Sequence, residues 1–217
     1  DDDDDCDADD DSAADQGDHR AQYQLGKQLI VGLGVDENAA AGLSLLNAAA
    51  QSGDPEHLFT LGNAYQAGTG GAPDLARAAA IFARAVEAGS DDAAVALGLM
   101  RQQGDGVAQD IDAAIALYQG PAVRGNPRAQ NNLGLIFARG QGVEQDFDQA
   151  RAWFEQAADQ GLSEGLRNLA ALYENGFGVV VDEERARGLL RLAAAGGPAG
   201  AQSLFTDARM QPPDPEA

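Results

Sequence analysis

The chain has 217 residues, 44% of them hydrophobic, with 35 acidic against 14 basic side chains and a formal net charge of −21. That balance excludes a surface built to track nucleic-acid phosphates or an anionic membrane, since both need clustered Lys and Arg. The single cysteine, Cys6, excludes an intrachain disulfide and a cysteine-based zinc site, and no stretch approaches the ~20 apolar residues of a membrane span.

Residues 1–18 come first and differ from the rest. They hold eleven of the aspartates and no basic residue. Such a segment cannot bury enough apolar surface to offset its ordering entropy, so it is expected to be a solvated, disordered tail. Without it, 24 acidic side chains face 14 basic ones, a net of −10. Asp5, Asp7 and Asp9 alternate as in a calcium loop. Asp10 stands where the sharp turn needs glycine, however, and Gln16 replaces the bidentate glutamate. Diffuse cation attraction is expected of this tail, and no specific metal site.

From residue 19 a period takes over. Leu25-Gly26, Leu61-Gly62, Leu97-Gly98 and Leu133-Gly134 recur every 36 residues, and Leu169-Ala170 is the next copy. Self-similarity at this spacing marks a stacked repeat protein. Other columns keep the register: Gly32, Gly68, Gly104, Gly140 and Gly176; Gly34, Gly70, Gly106, Gly142 and Gly178; Gly53, Gly89, Gly125, Gly161 and Gly197. Asn38, Asp74, Asp110, Asp146 and Asp182 form a further column.

A glycine after an apolar run is a helix stop, and Asp or Asn before the next run is an N-cap. Asp146 and Gln149 also have capping-box spacing. Each unit therefore reads as helix A, a glycine loop, helix B and a glycine stop. Ala129, Leu133 and Phe137 line one face of a helix A, and Ala150, Trp153, Phe154 and Ala157 make an amphipathic stripe on a helix B. The units are predicted at about 21–56, 57–92, 93–128, 129–164 and 165–200.

Local departures are few. In the third copy Arg101 stands in an aromatic column, and Gly120-Pro121 enters helix B, where the proline is expected to kink or shorten it. The fifth copy has an apolar loop, Val179-Val180-Val181. Residues 199–210 are expected to form a capping helix over the last repeat, followed by a loose end at 211–217.

The unit Ala129-Gln130-Asn131-Asn132-Leu133-Gly134, Gly140-Gln141-Gly142-Val143, Asp146, Ala150, Trp153-Phe154, Ala157-Ala158 and Gly161 resembles the Sel-one-like repeat (SLR), a relative of the tetratricopeptide repeat. The resemblance covers about residues 19–200. It implies an all-α fold, a right-handed α/α solenoid of five repeats with a capping helix, spanning 19–210. It also implies that partners bind on a concave face lined by the A helices.

Counting from each leucine along helix A, the columns expected on that face hold Arg20, Tyr23, Lys27, Phe59, Asn63, Gln66, Gln102, Arg128, Asn131, Arg139 and Arg167. Val95 shares the column of Tyr23 and Phe59. Amides and guanidinium groups can bond an extended peptide or a carboxylate, and aromatics commonly anchor interfaces.

No catalytic set is visible. His19 and His57 are the two histidines, and His57 falls in an alanine column where packing explains it. Gly68-Thr69-Gly70-Gly71 lacks the Lys-Ser/Thr of a phosphate loop. The expectation is a non-catalytic scaffold that binds a protein or peptide and needs no cofactor. What the resemblance implies about setting is the bacterial envelope or secretion, periplasmic or secreted, with the cytoplasm as the alternative. An immunity protein against a secreted toxin is the second reading, and a cell-wall or lactam hydrolase the weakest.

Overall fold

The computed structural model describes residues 17–195, so all but the last two residues of the acidic tail, and the expected capping helix, lie outside the described residues. Ten α-helices and one 3-10 turn occupy the described residues, and there is no strand among them. The helices pair as five hairpins: α1 (His19–Val31) with α2 (Ala39–Ala49), α3 (Pro55–Ala67) with α4 (Leu75–Glu87), α5 (Asp91–Gln103) with α6 (Ile111–Val123), α7 (Pro127–Arg139) with α8 (Phe147–Asp159), and α9 (Ser163–Asn175) with α10 (Glu183–Ala195). The fold is an all-α repeat fold.

The chain divides into two compact units between Asp110 and Ile111, within the loop of the third repeat. The first unit holds α1 to α5 and the second α6 to α10. In each, every helix packs against the next along the chain.

The predicted starts and stops are realised by specific hydrogen bonds. Asp18, Asn38, Asp54, Asp74, Ser90, Asn126, Asp146 and Asp182 each accept backbone amides in the first turn of the following helix. Asp18, grouped with the tail by composition, is thus the N-cap of α1. Two backbone amides, those of Ala21 and Arg20, hold its carboxyl below the ordinary value.

At Asp146 the backbone amide of Gln149 donates to one carboxylate oxygen and the Gln149 side chain to the other, at 2.9 Å each. The reciprocal bond of a capping box is absent here, because the Asp146 amide donates to the Phe137 carbonyl instead. At the far end of α7, Gly140 takes φ +63, a left-handed stop that a side chain would strain.

The leucine–glycine pair has a packing reason. A Cβ on Gly134 would lie 2.5 Å from the Phe154 ring, and one on Gly62 would lie 2.5 Å from the Phe82 ring. Each glycine is the floor on which the helix B aromatic rests, and both rings are almost wholly buried. The exception is consistent. Ala170 replaces glycine in the fifth repeat, and the aromatic column there holds Leu190, which is 41% exposed, while Leu189 is buried.

The second loop glycine joins one hairpin to the one before. A Cβ on Gly106 would meet the Leu75 backbone at 2.4 Å, and one on Gly178 would meet Phe147 at 2.6 Å. Gly70 against Ala39 and Ala40, and Gly142 against Ile111, repeat the arrangement. Phe177 adds a ring stacked on Phe147 at 5.0 Å between centroids.

Two expectations are corrected. Pro121 does not shorten its helix. α6 spans the same 13 residues as its neighbours although Pro121, in its last turn, has no amide to give to the Leu117 carbonyl; one lost bond does not end the helix. Gln130 closes the end of this helix, donating to the Ala122 carbonyl at 3.0 Å. The second correction concerns the supposedly exposed columns of helix A, and it bears on the site.

Candidate partner-binding site

Of the helix A side chains two before the leucine, Tyr23 and Asn131 face the neighbouring A helix, Val95 is buried, Phe59 is half-buried and Arg167 alone is exposed. Tyr23 is buried. Its hydroxyl donates to Glu56 Oε1 at 2.8 Å and lies 3.1 Å from Thr60 Oγ1, both on α3, and its ring stacks on His57 at 4.4 Å. Burial pushes its pKa up. Asn131 is also buried, its Oδ1 accepting from Asn168 Nδ2 at 2.8 Å. Val95 is buried too.

Phe59 is half-buried, and its ring centroid lies 5.8 Å from that of Phe82. Tyr23, Asn131 and Phe59 are therefore not free groove side chains. They are the seam that holds one A helix to the next or to its own hairpin. The cause is geometric: in the first and fourth repeats the face of helix A away from helix B is shared with the following repeat. His57 belongs to the same seam, with its Nδ1 3.1 Å from Ser52 Oγ and 3.3 Å from the Ala49 carbonyl.

In the first unit, a groove of about 610 Å³ opens between α1 and α3. Leu46, Ile30, Ala64 and Ala67 supply apolar lining, Gln24, Gln28, Thr60 and Asn63 polar groups, and Lys27 the one cation. Val31 and Leu33, flanking the Gly32 stop, line it while each remains 68% exposed. The Lys27 ammonium is held 4.4 Å over the Tyr23 ring, so the seam positions the cation at the groove.

Lys27 and Asn63 both line this groove. Arg20, Gln66 and Gln102 do not line this groove; Arg20 is exposed, and the Gln102 carbonyl accepts from Gln109 Nε2. In the second unit Arg128, Arg139 and Arg167 are exposed on helix A, with Arg167 3.8 Å from Glu164.

Val31 and Leu33 escaped the periodic reading, which followed shared columns and treated the helix end as punctuation. A signal existed: the same two columns hold Ala67 and Thr69, Gln103 and Asp105, Arg139 and Gln141, and Asn175 and Phe177 in the other copies. Only the first copy is aliphatic at both. Among the described residues no helix is long and apolar enough to cross a membrane, and no cluster of His, Cys, Asp or Glu is arranged to hold a metal ion.

Helical hairpins that lean on one another through glycine seats define the class of α-helical repeat proteins. The Sel1 repeat model matches residues 19–54, 58–90, 91–119, 127–162 and 163–198, and the chain belongs to the Sel1 repeat family.

Among solved structures it is similar to a protective antigen present in uropathogenic Escherichia coli strains that displays an SLR fold, at 29% identity and TM-score 0.76. That match covers 91% of this chain and 47% of the antigen, so the chain spans about half the antigen's length. It is similar in fold to a Sel1 repeat protein from Oxalobacter formigenes, at 24% identity and TM-score 0.78, covering 92% of this chain and 88% of that one. It is also similar in fold to an immunity protein from Pseudomonas aeruginosa, at 18% identity and TM-score 0.60, covering 95% and 80%. Comparison with curated proteins found no match.

Proposed function

We propose that this protein is a non-catalytic scaffold that captures a protein partner through the groove between α1 and α3. Sel1 repeats commonly serve as protein-interaction scaffolds. The observation that carries the reading is the exposure of Val31 and Leu33 at the groove beside Lys27 and Asn63. An aliphatic pair left this open suits an apolar side chain of a bound segment, while the lining amides and the ammonium satisfy its backbone.

The test is capture from the producing organism with the wild-type chain and with V31D/L33D. Both side chains face water, so the double variant should keep its helicity by circular dichroism and lose the captured partner. Undiminished recovery of the same partner would overturn the groove assignment.

A second reading is neutralisation of a secreted toxin. The net charge of −21 suits a basic effector, and one protein of similar fold is an immunity protein. This reading requires a toxin gene beside this one and protection of cells that express the toxin. A toxin that kills equally with and without this chain would remove it.

A further inference from the structure

The loop of the fifth repeat lacks a bond that the third and fourth repeats make, in a column that holds Glu37 in the first repeat and Pro73 in the second. In the third and fourth repeats a glutamine reaches back to the end of its own helix A. Gln109 Nε2 donates to the Gln102 carbonyl at 2.9 Å, and Gln145 Nε2 to the Ala138 carbonyl at 2.8 Å. These bonds satisfy carbonyls left over at a helix C-terminus. The fifth repeat has Val181 in that column, which has no amide to give, and Val180 before it.

The valines are not there for the core. Val180 is 88% exposed and Val181 54%. They form a ledge on a surface concavity of about 710 Å³ that also includes Arg151, Tyr173, Asp182, Glu183, Glu184 and Arg185. Two adjacent aliphatic side chains left open to water with no gain in packing point to a surface kept for contact.

The charges around the ledge select its occupant. Both lining arginines are engaged: Arg151 lies 3.1 Å from Asp148 and 4.0 Å from Glu155, and Arg185 stacks 4.3 Å over the Tyr173 ring. Among the acids, Asp182 caps α10 and Glu183 pairs with Arg187 at 3.5 Å. Glu184 is exposed and has no ion pair among the described residues. The surplus charge at the ledge is negative. A second copy of the chain would bring another −21, and an acidic segment would meet the same repulsion.

We propose that the Val180–Val181 ledge is a second docking surface, separate from the α1–α3 groove, for an extended protein segment that sets an apolar side chain on the valines and a Lys or Arg against Glu184. The apolar contact supplies affinity, and the glutamate supplies orientation and selection against acidic segments.

The test pans a phage-displayed random heptapeptide library on the full chain, with subtraction on V180S/V181Q. Enriched peptides are then synthesised and titrated by fluorescence anisotropy. The expected peptides pair an apolar run with Lys or Arg. Their affinity should fall about tenfold or more in V180S/V181Q and severalfold in E184Q, while V31D/L33D binds them unchanged. V181Q restores the sibling glutamine, so circular dichroism and melting should show the double variant folded at least as stably as wild type. The proposal is overturned if no peptide distinguishes wild type from V180S/V181Q, if the enriched peptides are acidic, or if E184Q has no effect. Loss of binding in V31D/L33D would assign the peptides to the groove and would equally end it.

Discussion

The glycine of the leucine–glycine pair is defined by the ring above it. At Gly134 a methyl group would sit 2.5 Å from Phe154, which is itself almost wholly buried and has little room to yield. Gly134→Ala should therefore cost about 1–3 kcal/mol despite the better helix propensity of alanine. Ala170→Gly, at the equivalent site without the ring, should cost about 1 kcal/mol through propensity and about 1 kcal/mol more through the buried methyl group it removes. Urea denaturation of the two variants checks the contrast; a stabilised G134A would show that the ring does not press on the glycine. The glycine column was legible from spacing, but its cause was not. The pairing of Gly134 with Phe154 crosses the hairpin and emerges only when two columns are read together. The same limit explains Tyr23 and Asn131. Periodicity places a side chain on one face of its helix, yet says nothing of which neighbouring helix stands before that face.

For the helices as elements, starts and stops were the most legible feature, since caps and glycine stops are local and carry their own chemistry. Asp146 shows what such a cap contributes. The backbone amide and side chain of Gln149, in that order, hold its carboxyl below the ordinary value. A carboxyl lowered by folding stabilises the folded state at pH values above its unfolded pKa, and that contribution fades as pH falls through the folded value. Asp146→Ala should accordingly be less stable than wild type near neutral pH, and the gap should close as the solution is taken below the ordinary carboxylate range. Thermal melts of both proteins across that range read the gap directly. A gap independent of pH would assign the effect to helix propensity. The loop of the fifth repeat was legible as apolar, but its exposure was not, because three valines in a row fit a buried turn equally well by composition.

Over the whole molecule, charge dominates. A net charge of −21 on 217 residues makes self-repulsion a standing cost of the compact state. Raising NaCl from low to physiological concentration screens it over about 8–10 Å. The melting temperature should therefore rise with salt, in contrast to a protein held together by surface ion pairs. The ion pairs seen among the described residues are local pairs within single helices, involving Arg151, Arg167 and Arg187, and each is worth little. A melting temperature that falls on adding salt would show that attraction outweighs repulsion. The all-α repeat class was legible throughout residues 19–195 because five copies repeat the same solution. The α1–α3 groove was not, because it arises where the first copy departs from the others at Val31 and Leu33.

The seat beneath the second loop glycine holds a different residue in each copy: Ala39 with Ala40, Leu75, Ile111 and Phe147. A socket that accepts such varied tenants carries no address. A duplicated stretch of the gene, entering in phase, would find a berth already shaped for it, and a deleted one would leave no vacancy needing repair. Length in this kind of chain can thus drift by whole units while every junction stays the same, and novelty is left to accumulate in the few places where one copy differs from its sisters.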